Sequence, residues 1–480
     1  MTPGTPYDLA IIGSGSGNSL ITPYWDDKRV VLADQGIPHT GAFGGTCLNV
    51  GCIPTKMYVR PAALARSPEE AARLGVELCE AQADWPRIRD RIFGRIDAIS
   101  EAGREYRERL EHVDLISERV TLTGPRSFRT ASGAEASAEQ MVIAAGSRPV
   151  IPEVPGTGLP QVHTSETIMR IPQLPEKILI VGGGYIACEF AGIFSGLGSE
   201  VIQVNRSVGL MNQLDAEIAA AYSAQAEANW TVHYQRTLAG VVEDAHGRAV
   251  AQLVTSDGRI EEITADVVLL AIGRVPNSDA VGAAEVGLDI HPDGRIAVDE
   301  YLRVQQDGAP VEGVYAIGDI SSPPMLKHVA NHEARVAAHN LEHPQHLRRV
   351  RHEVIPAAIF SHPEIAHVGL TEDQAAQQVG AEHLTVKTQR YADTAYGWAM
   401  EDQYGIMKVI ADSRNGQILG AHAMGYHSSN LIQPIIHAMS FGQDAYTAAR
   451  GQYWIHPALM EVTENALLGL DVPAPPDAPL

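Results

Sequence analysis

The sequence is short of positive charge. Its 480 residues include 36 lysines and arginines against 58 aspartates and glutamates, a net charge of −22. A nucleic-acid-binding surface needs a basic face, so this balance argues against nucleic acid as a partner. Long apolar runs of roughly 18 residues are also missing, which predicts no membrane-spanning helix. The N-terminal stretch 1–19 lacks the charged start, apolar core and cleavage site of a secretory signal, and this predicts a cytoplasmic protein.

Cysteine is equally scarce, with four in the whole chain. A stable disulfide scaffold is not expected in a reducing cytoplasm. Two of the four, Cys47 and Cys52, lie in the glycine-rich segment 44–56. In a reducing compartment such a pair indicates either redox catalysis or metal binding. Cys79 and Cys188 have no comparable surroundings, and we interpret both as structural.

Glycine and apolar residues, in contrast, are plentiful. The 44 glycines and a hydrophobic content of 45% are typical of a packed α/β protein and exclude disorder along the whole chain. Two apolar strands, 9–12 and 178–181, each run into a glycine loop that we expect to lead into a helix. Continuous apolar runs of this kind are typical of parallel strands buried on both faces. Two such units predict two nucleotide cofactors.

The first loop carries Gly13 and Gly15, whose small size permits a tight turn and close backbone approach to a pyrophosphate. Asn18 stands where a third glycine or alanine is usual. Asp34 ends the next apolar run and is placed to accept hydrogen bonds from an adenosine ribose. One loop of this kind is weak evidence, and the strand before it and the acid after it strengthen the prediction.

The second loop matches the G-x-G-x-x-A pattern fully, with Gly182, Gly184 and Ala187. The strand that follows ends in Asn205 and Arg206 rather than in an acid. A carboxylate at this position would repel the 2′-phosphate of NADPH, so its absence favours NADPH over NADH. The alternative is that Arg206 is an ordinary solvated surface arginine.

The spacing of Cys47 and Cys52 restricts their local structure. In a regular helix their α-carbons would lie ~8–9 Å apart, whereas a disulfide requires less than about 7 Å. A disulfide here therefore needs a distorted turn, which Gly51 and Pro54 can supply. Strained disulfides are easily reduced, a property that suits an electron relay. One alternative is a zinc site, although the sequence has no second cysteine pair to complete its ligands. The other is that both cysteines are inert buried thiols.

Four further motifs follow along the chain, at residues 144–149, 272–277, 316–319 and 456–461. With its motifs in this order, the chain resembles the flavoprotein disulfide reductases of the glutathione reductase and lipoamide dehydrogenase type. The resemblance covers nearly the whole length. It implies an α/β protein with two Rossmann-like nucleotide-binding domains, for FAD and NADPH, and a C-terminal α+β dimerisation domain. The implied divisions are an FAD-binding domain at 1–150, an NAD(P)H-binding domain at 151–270, a return segment of the FAD-binding domain at 271–344 and the dimerisation domain at 345–480.

The resemblance also implies roles for single residues. Cys52 would face the flavin and Cys47 the substrate disulfide. Lys56 would lie near the flavin and pair with Glu189, although a surface lysine and a helix glutamate are the plain alternative. No metal is implied. The cofactor-binding positions would be Gly13, Gly15, Asp34, Thr46, Lys56, Gly146, Asp319 and Ala330 for FAD, and Gly182, Gly184, Ala187, Arg206 and Gly273 for NADPH.

A histidine near the C-terminus completes the implied site. His456 in His-Pro-x3-Glu matches the family's catalytic base, and Glu461 would orient its imidazole. A histidine suits acid–base work because its ordinary pKa lies near working pH. In this family the histidine reaches the active site of the other subunit, which implies an obligate homodimer.

Four stretches resemble the branch of the family that reduces mycothione, the disulfide of mycothiol: 13–19, 93–97, 395–402 and 451–456. The implied reaction converts mycothione and NADPH to two mycothiols. A dihydrolipoamide dehydrogenase or a glutathione-type reductase is the alternative within the family. Members with a C-terminal cysteine relay fit less well, because no cysteine follows Cys188. A flavin-binding redox sensor is the non-enzymatic alternative, and it would have no use for His456.

Overall fold

The first part of the chain forms a parallel sheet with helices on it. The computed structural model describes residues 5–478. Strands β6, β1, β2 and β3 pair in parallel in that order, and β1 and β2 are almost completely buried, which explains their continuous apolar sequences. The elements are β1 Tyr7–Ile12, β2 Val30–Ala33, α1 Gly45–Asn49, α2 Cys52–Ala65, α3 Ser67–Arg73, α4 Trp85–Glu108, β3 Val113–Ile116, β4 Val120–Gly124, β5 Ser127–Thr130, β6 Glu135–Ile143 and β7 Ser147–Pro149.

The helix expected after the first glycine loop is not an α-helix. The 3-10 helices Gly17–Leu20 and Pro23–Trp25 lie between the loop and β2. Pro23 lies close behind, and proline both lacks an amide hydrogen and disfavours helical geometry in the residue before it. The turn is held instead by the buried Arg107 of α4, whose Nε donates to Asn18 Oδ1 and whose Nη2 donates to the Asn18 carbonyl oxygen, both at 2.7 Å.

The second nucleotide unit has the predicted strand, loop and helix. A parallel sheet runs in the order β11-β10-β9-β15-β8, an antiparallel sheet of β12, β13 and β14 adjoins it, and β16 pairs with β7 of the first part. The elements are β8 Val162–Thr164, β9 Lys177–Val181, α5 Tyr185–Leu197, β10 Glu200–Asn205, α6 Ala216–Asn229, β11 Thr231–Tyr234, β12 Arg236–Glu243, β13 Ala249–Thr255, β14 Ile260–Ala265, β15 Val267–Leu270 and β16 Arg274–Pro276.

The chain then returns to the first sheet through β17 Arg303–Gln306, β18 Ala309–Ala316 and α7 Lys327–Glu342. Strand β18 pairs in parallel with β6, so that Val314 lies opposite Met141. Helix α7 buries Ala337 and Leu341 in the core that also contains Ile11 of β1. This return brings the N-terminal end of α7 to the same edge of the sheet as the first glycine loop.

The last part of the chain is an antiparallel sheet in the order β19-β20-β23-β22-β21, with helices packed on it around a core of its own. The mixture of parallel nucleotide-binding sheets and a C-terminal α+β unit confirms the predicted fold class. The elements are β19 Pro356–Ile359, β20 Ile365–Gly369, α8 Glu372–Val379, β21 Leu384–Arg390, α9 Ala395–Ala399, β22 Ile406–Asp412, β23 Ile418–Met424, α10 Ser428–Leu431, α11 Gln433–Ser440, α12 Ala445–Arg450 and α13 Glu461–Leu468.

A buried lysine connects this last part to the second nucleotide unit. Lys408 of β22 has a side chain that is 4% exposed, and its Nζ lies 2.8 Å from Asp215, the N-cap residue of α6, and 2.7 Å from Glu372. A buried ammonium is tolerated only with such compensation.

No helix within residues 5–478 has the length and the apolar character that a membrane span requires.

Candidate active site

A cavity of about 860 Å³ lies where the first glycine loop, α1, α2 and the start of α7 converge. Its volume falls in the range of roughly 300–1,000 Å³ that is usual for ligand pockets. The lining includes most of the predicted FAD-binding and redox residues. They are Gly13, Gly15, Asp34, Thr46, Cys47, Cys52, Lys56, Gly146, Glu189, Asp319 and Ala330.

The glycine loop fits closely against its neighbours. Gly13 has φ +105°, and a Cβ there would lie 2.3 Å from the carbonyl oxygen of Ala144. A Cβ on Gly45 would lie 2.6 Å from Cα of Gly15, so the start of α1 packs directly on the loop. Any larger residue would fill this space. The bare backbone that remains fits the pyrophosphate of FAD.

Two carboxylates are fixed at the edge of this cavity. Asp34, directly after β2, accepts hydrogen bonds from the amides of Ser14 and Gly36, each at 2.6 Å. Asp319 Oδ2 accepts a hydrogen bond from Ser147 Oγ at 2.6 Å. Each carboxylate oxygen has a second lone pair. Both residues can therefore still accept from the hydroxyl groups of a ribose or a ribityl chain, as FAD requires.

The cysteine pair spans a break between two helices. Helix α1 ends at Asn49 and α2 begins at Cys52. Gly51 between them has φ −133° and ψ −120°, and a Cβ there would lie 3.0 Å from the Thr46 carbonyl oxygen. This is the distorted turn that the spacing requires. Pro54 lies in the first turn of α2, where proline is tolerated, so Gly51 and not Pro54 makes the break.

The two thiols differ in acidity although both are free. The neighbouring Cys47 thiol lowers the pKa of Cys52 to about 7 against the opposing effect of burial, and the nearby Lys56 ammonium also lowers it. The proximity of Cys52 raises the pKa of Cys47, and burial raises it further. Cys52 is therefore the more acidic thiol of the pair.

Lys56 and Glu189 form an ion pair inside the cavity. Lys56 Nζ lies 2.7 Å from Glu189 Oε1, and Glu189 is buried. The same carboxylate oxygen accepts a hydrogen bond from the amide of Phe360 at 2.8 Å. The ammonium also lies 4.3 Å from the centroid of the Phe360 ring. These contacts contradict the alternative of a surface lysine and an unrelated helix glutamate.

The histidine and its glutamate lie outside this cavity. His456 Nδ1 is 2.6 Å from Glu461 Oε1, and the histidine side chain is 66% exposed. Tyr453 and Ile455, on the same loop, are also exposed. A single chain therefore does not bring His456 to its own Cys47, although it does bring His456 to Glu461.

The second glycine loop lies on the neighbouring sheet and also outside the cavity. A Cβ on Gly182 would lie 2.3 Å from the Ala271 carbonyl oxygen, whereas no atom approaches a Cβ on Gly184 within 4 Å. Ala187 is buried in α5, and Gly273 follows β15 with φ +138°. The loop is therefore packed against the protein at Gly182 and open at Gly184. The open side leaves room for a nucleotide pyrophosphate at the N-terminal end of α5.

Arg206 follows the strand that leads away from this loop. It is exposed and comes directly after β10. The preceding Asn205 is buried, and its side-chain amide donates to the Gly209 carbonyl oxygen at 2.7 Å. Asn205 thus folds back onto its own turn, and Arg206 is the polar side chain left facing outward here.

Several lining residues were missed at the sequence level. Arg274 donates from Nε to Ser147 Oγ at 2.8 Å and pairs with Glu166 at 3.2 Å. Its position directly after Gly273 was the available signal. Tyr185, at the start of α5, and Lys327, at the start of α7, also line the cavity. Lys327 has no motif around it that sequence reasoning could have used.

The two remaining cysteines lie in different surroundings. Cys188 is fully buried, and burial raises its pKa to about 12, as suits an inert structural thiol. The structural interpretation of Cys79 was wrong, because this residue is exposed in the segment between α3 and α4. Among residues 5–478, no three histidine, cysteine or acidic side chains are arranged to hold a metal ion.

Two family models match the chain. One, described as pyridine nucleotide-disulphide oxidoreductase, matches residues 7–334, and the other, the dimerisation domain of the same family, matches residues 355–467. By fold, the chain is similar to the Cu(II) complex of the HOCl-induced flavoprotein disulfide reductase RclA from Escherichia coli, with a TM-score of 0.83, 24% identity and coverage of 97% of this chain and 99% of that one.

Curated relatives match along the same length. Mycothione reductase from Mycobacterium tuberculosis (strain CDC 1551 / Oshkosh) is 48% identical, over 97% of this chain and 99% of its own. Glutathione reductase from Burkholderia cepacia is 30% identical, over 95% of this chain and 97% of its own. The predicted cofactors, FAD and NADPH, are those of such enzymes. The chain belongs to the pyridine nucleotide-disulphide oxidoreductase family and is a flavoprotein disulfide reductase.

Proposed function

We propose that this enzyme uses NADPH to reduce mycothione to two molecules of mycothiol. The observation that carries the chemistry is the cysteine pair at the helix break, where the Cys52 thiolate and the protonated Cys47 face one cavity. The identity of the substrate is supported by the 48% identity to a mycothione reductase, against 30% to a glutathione reductase. FAD, when bound, supplies the route for electrons from NADPH to the cysteine pair.

The two cysteines divide the work. After deprotonation, Cys47 attacks one sulfur of the substrate, the substrate S–S bond breaks, and the first thiol leaves with a proton. A mixed disulfide between Cys47 and the second half remains. The Cys52 thiolate then attacks Cys47 sulfur, and the Cys47–Cys52 disulfide forms as the second thiol leaves. Two electrons pass from the cysteine pair to the substrate. The low pKa of Cys52 suits this second step, because a thiolate is the attacking species.

A base has to remove the proton of Cys47, whose pKa is raised. We assign this role to His456 of the partner subunit. With Nδ1 bonded to Glu461, its Nε2 is left to accept the Cys47 proton and later to give it to the leaving thiol. The high exposure of His456, Tyr453 and Ile455 in the single chain supports their burial against a second copy. The match to a dimerisation domain supports the same arrangement.

The cofactor assignments follow the two glycine loops. Gly13, Gly15, Asp34 and Asp319 would hold FAD, and the second loop would hold NADPH, with Arg206 available to the 2′-phosphate. The domain divisions at 150, 270 and 344 belong to this proposal, as does a location in the cytoplasm, where small thiols are kept reduced. The redox-sensor alternative leaves the His456–Glu461 pair without a purpose.

Steady-state assays of the FAD-loaded enzyme test this function. NADPH would be supplied with mycothione, oxidised glutathione, lipoamide or a thioredoxin, and we expect turnover with mycothione alone. Cys47→Ser is the control, because it removes the attacking sulfur and should abolish turnover while FAD stays bound. Turnover with glutathione or lipoamide and none with mycothione would contradict the proposed substrate. No turnover with any disulfide would support the sensor.

A further inference from the structure

The first glycine loop has to hold a pyrophosphate without the long helix that usually follows such a loop. Helix α5, after the second loop, has 13 residues, whereas the first loop leads into the four-residue 3-10 helix Gly17–Leu20. The field of a helix end comes from many aligned peptide units. A single 3-10 turn supplies little of it, so the first loop needs another source of positive charge.

Lys327 supplies a positive charge at this loop. It is the first residue of α7, lines the cavity and is half-buried. Its Nζ lies 2.9 Å from Oγ of Ser16, which stands between Gly15 and Gly17 in the loop. The return of the chain to the first sheet creates this contact, because the two residues are 311 positions apart in sequence.

The other cations of the cavity are already engaged. Lys56 pairs with Glu189, Arg148 with Asp279 and Arg274 with Glu166. Arg119 donates to the Ala280 carbonyl oxygen at 2.9 Å. Among the cavity-lining residues of the part that the structure describes, Arg119 and Lys327 have no carboxylate partner, and of these two it is Lys327 that contacts the glycine loop. A half-buried ammonium without a counter-ion is costly, and an anionic ligand at the loop would offset that cost.

We propose that Lys327 binds the pyrophosphate of FAD, with the Ser16 hydroxyl beside it, and so replaces the charge of the missing helix. This assignment is independent of which disulfide the enzyme reduces. Lys327 also lowers the pKa of Cys47 through its charge, and a role in stabilising that thiolate is the rival explanation. The two roles differ in what they predict for FAD: only a pyrophosphate ligand should control the retention of the cofactor.

Release of FAD from the holoenzyme tests the proposal. Flavin fluorescence would be followed for the parent, Lys327→Met, Lys327→Arg and the control Lys177→Met, which removes a lysine paired with Glu200 away from the cavity. We expect Lys327→Met to weaken FAD binding by about 10- to 100-fold, the usual effect of losing a hydrogen bond to a charged group. Lys327→Arg and the control should stay near the parent. Added NaCl should accelerate release from the parent more than from Lys327→Met.

Labelling of the parent protein gives a second measurement that needs no variant. An amine-reactive acylating reagent would be applied to the protein with FAD bound, and to the FAD-stripped protein with ADP, with adenosine or alone. Mass spectrometry then reports the modification of Lys327. We expect protection by FAD and by ADP, which carries a diphosphate, and none by adenosine. Equal labelling of Lys327 in all samples would overturn the proposal. So would FAD release from Lys327→Met at the parent rate together with an altered Cys47 alkylation profile.

Discussion

At the scale of single residues, Cys47 and Cys52 have the same side chain and opposite pKa shifts. The proximity of the two sulfurs explains both shifts, because the Cys47 thiol favours the thiolate of Cys52 and the Cys52 thiolate opposes ionisation of Cys47. Burial alone would raise both values. The pair therefore shares its protons, and the thiolate form of Cys52 is populated above a pH of about 7 and lost below it.

Removing the Cys47 thiol should reverse the shift of Cys52. In Cys47→Ala we expect the pKa of Cys52 to rise from about 7 toward or above the ordinary value of about 8.5, because burial then acts without the compensating effect of the Cys47 thiol. The rate of Cys52 alkylation by iodoacetamide, measured against pH by mass spectrometry on FAD-stripped protein, reports this value. Cys79→Ala is the control. An unchanged profile in Cys47→Ala would show that the Cys47 thiol does not set the acidity of Cys52.

At the scale of elements, the first glycine loop depends on the absence of a side chain. Gly13→Ala combines left-handed backbone strain with a 2.3 Å approach to Ala144, whereas Gly75→Ala has the same kind of φ, +77°, and no atom within 4 Å. We expect the FAD content of Gly13→Ala to fall by about tenfold or more, because the loop has to shift to make room for the added Cβ. Gly75→Ala should retain it fully. Flavin absorbance per chain after purification measures both, and normal flavin content in Gly13→Ala would contradict the packing described.

Much of this architecture could be predicted from sequence because its signals are local. Apolar runs gave the parallel strands, and the spacing of Cys47 and Cys52 required the break that Gly51 makes. The short 3-10 helix after the first loop could not be foreseen from the glycine pattern alone, because Pro23 and the buried Arg107 determine it together. Long-range contacts such as that between Lys327 and Ser16 carry no sequence signal, since they depend on how β18 re-enters the sheet.

The second nucleotide unit allows a test at the scale of one loop. Arg206→Ala should lower kcat/KM for NADPH by about 10- to 100-fold and leave that for NADH nearly unchanged, because only NADPH offers a 2′-phosphate to the guanidinium. Arg259→Ala, on the β13–β14 hairpin, removes an exposed arginine as a control. A parent enzyme that prefers NADH, or an equal loss for both nucleotides in Arg206→Ala, would contradict the assignment of Arg206.

At the scale of the whole molecule, the distribution of functional groups is uneven. The cysteine pair and the Lys56–Glu189 ion pair lie in one cavity, while His456 is exposed on the last part of the chain next to the largely buried Glu461. The buried Lys408 fixes that last part against the second nucleotide unit. A chain held this way presents His456 outward. Two copies related by a twofold axis would each complete the site of the other.

Mixed dimers test this central claim most directly. Cys47→Ser and His456→Ala should each lose most activity as pure proteins, the second by about 10²–10⁴-fold. In a mixed dimer, one site carries both substitutions and the other carries neither, so an equal mixture that exchanges subunits freely should recover about one quarter of the parent activity. Dimer exchange would be verified with affinity tags. Verified mixed dimers that show no more activity than the pure variants would contradict a site shared between two subunits.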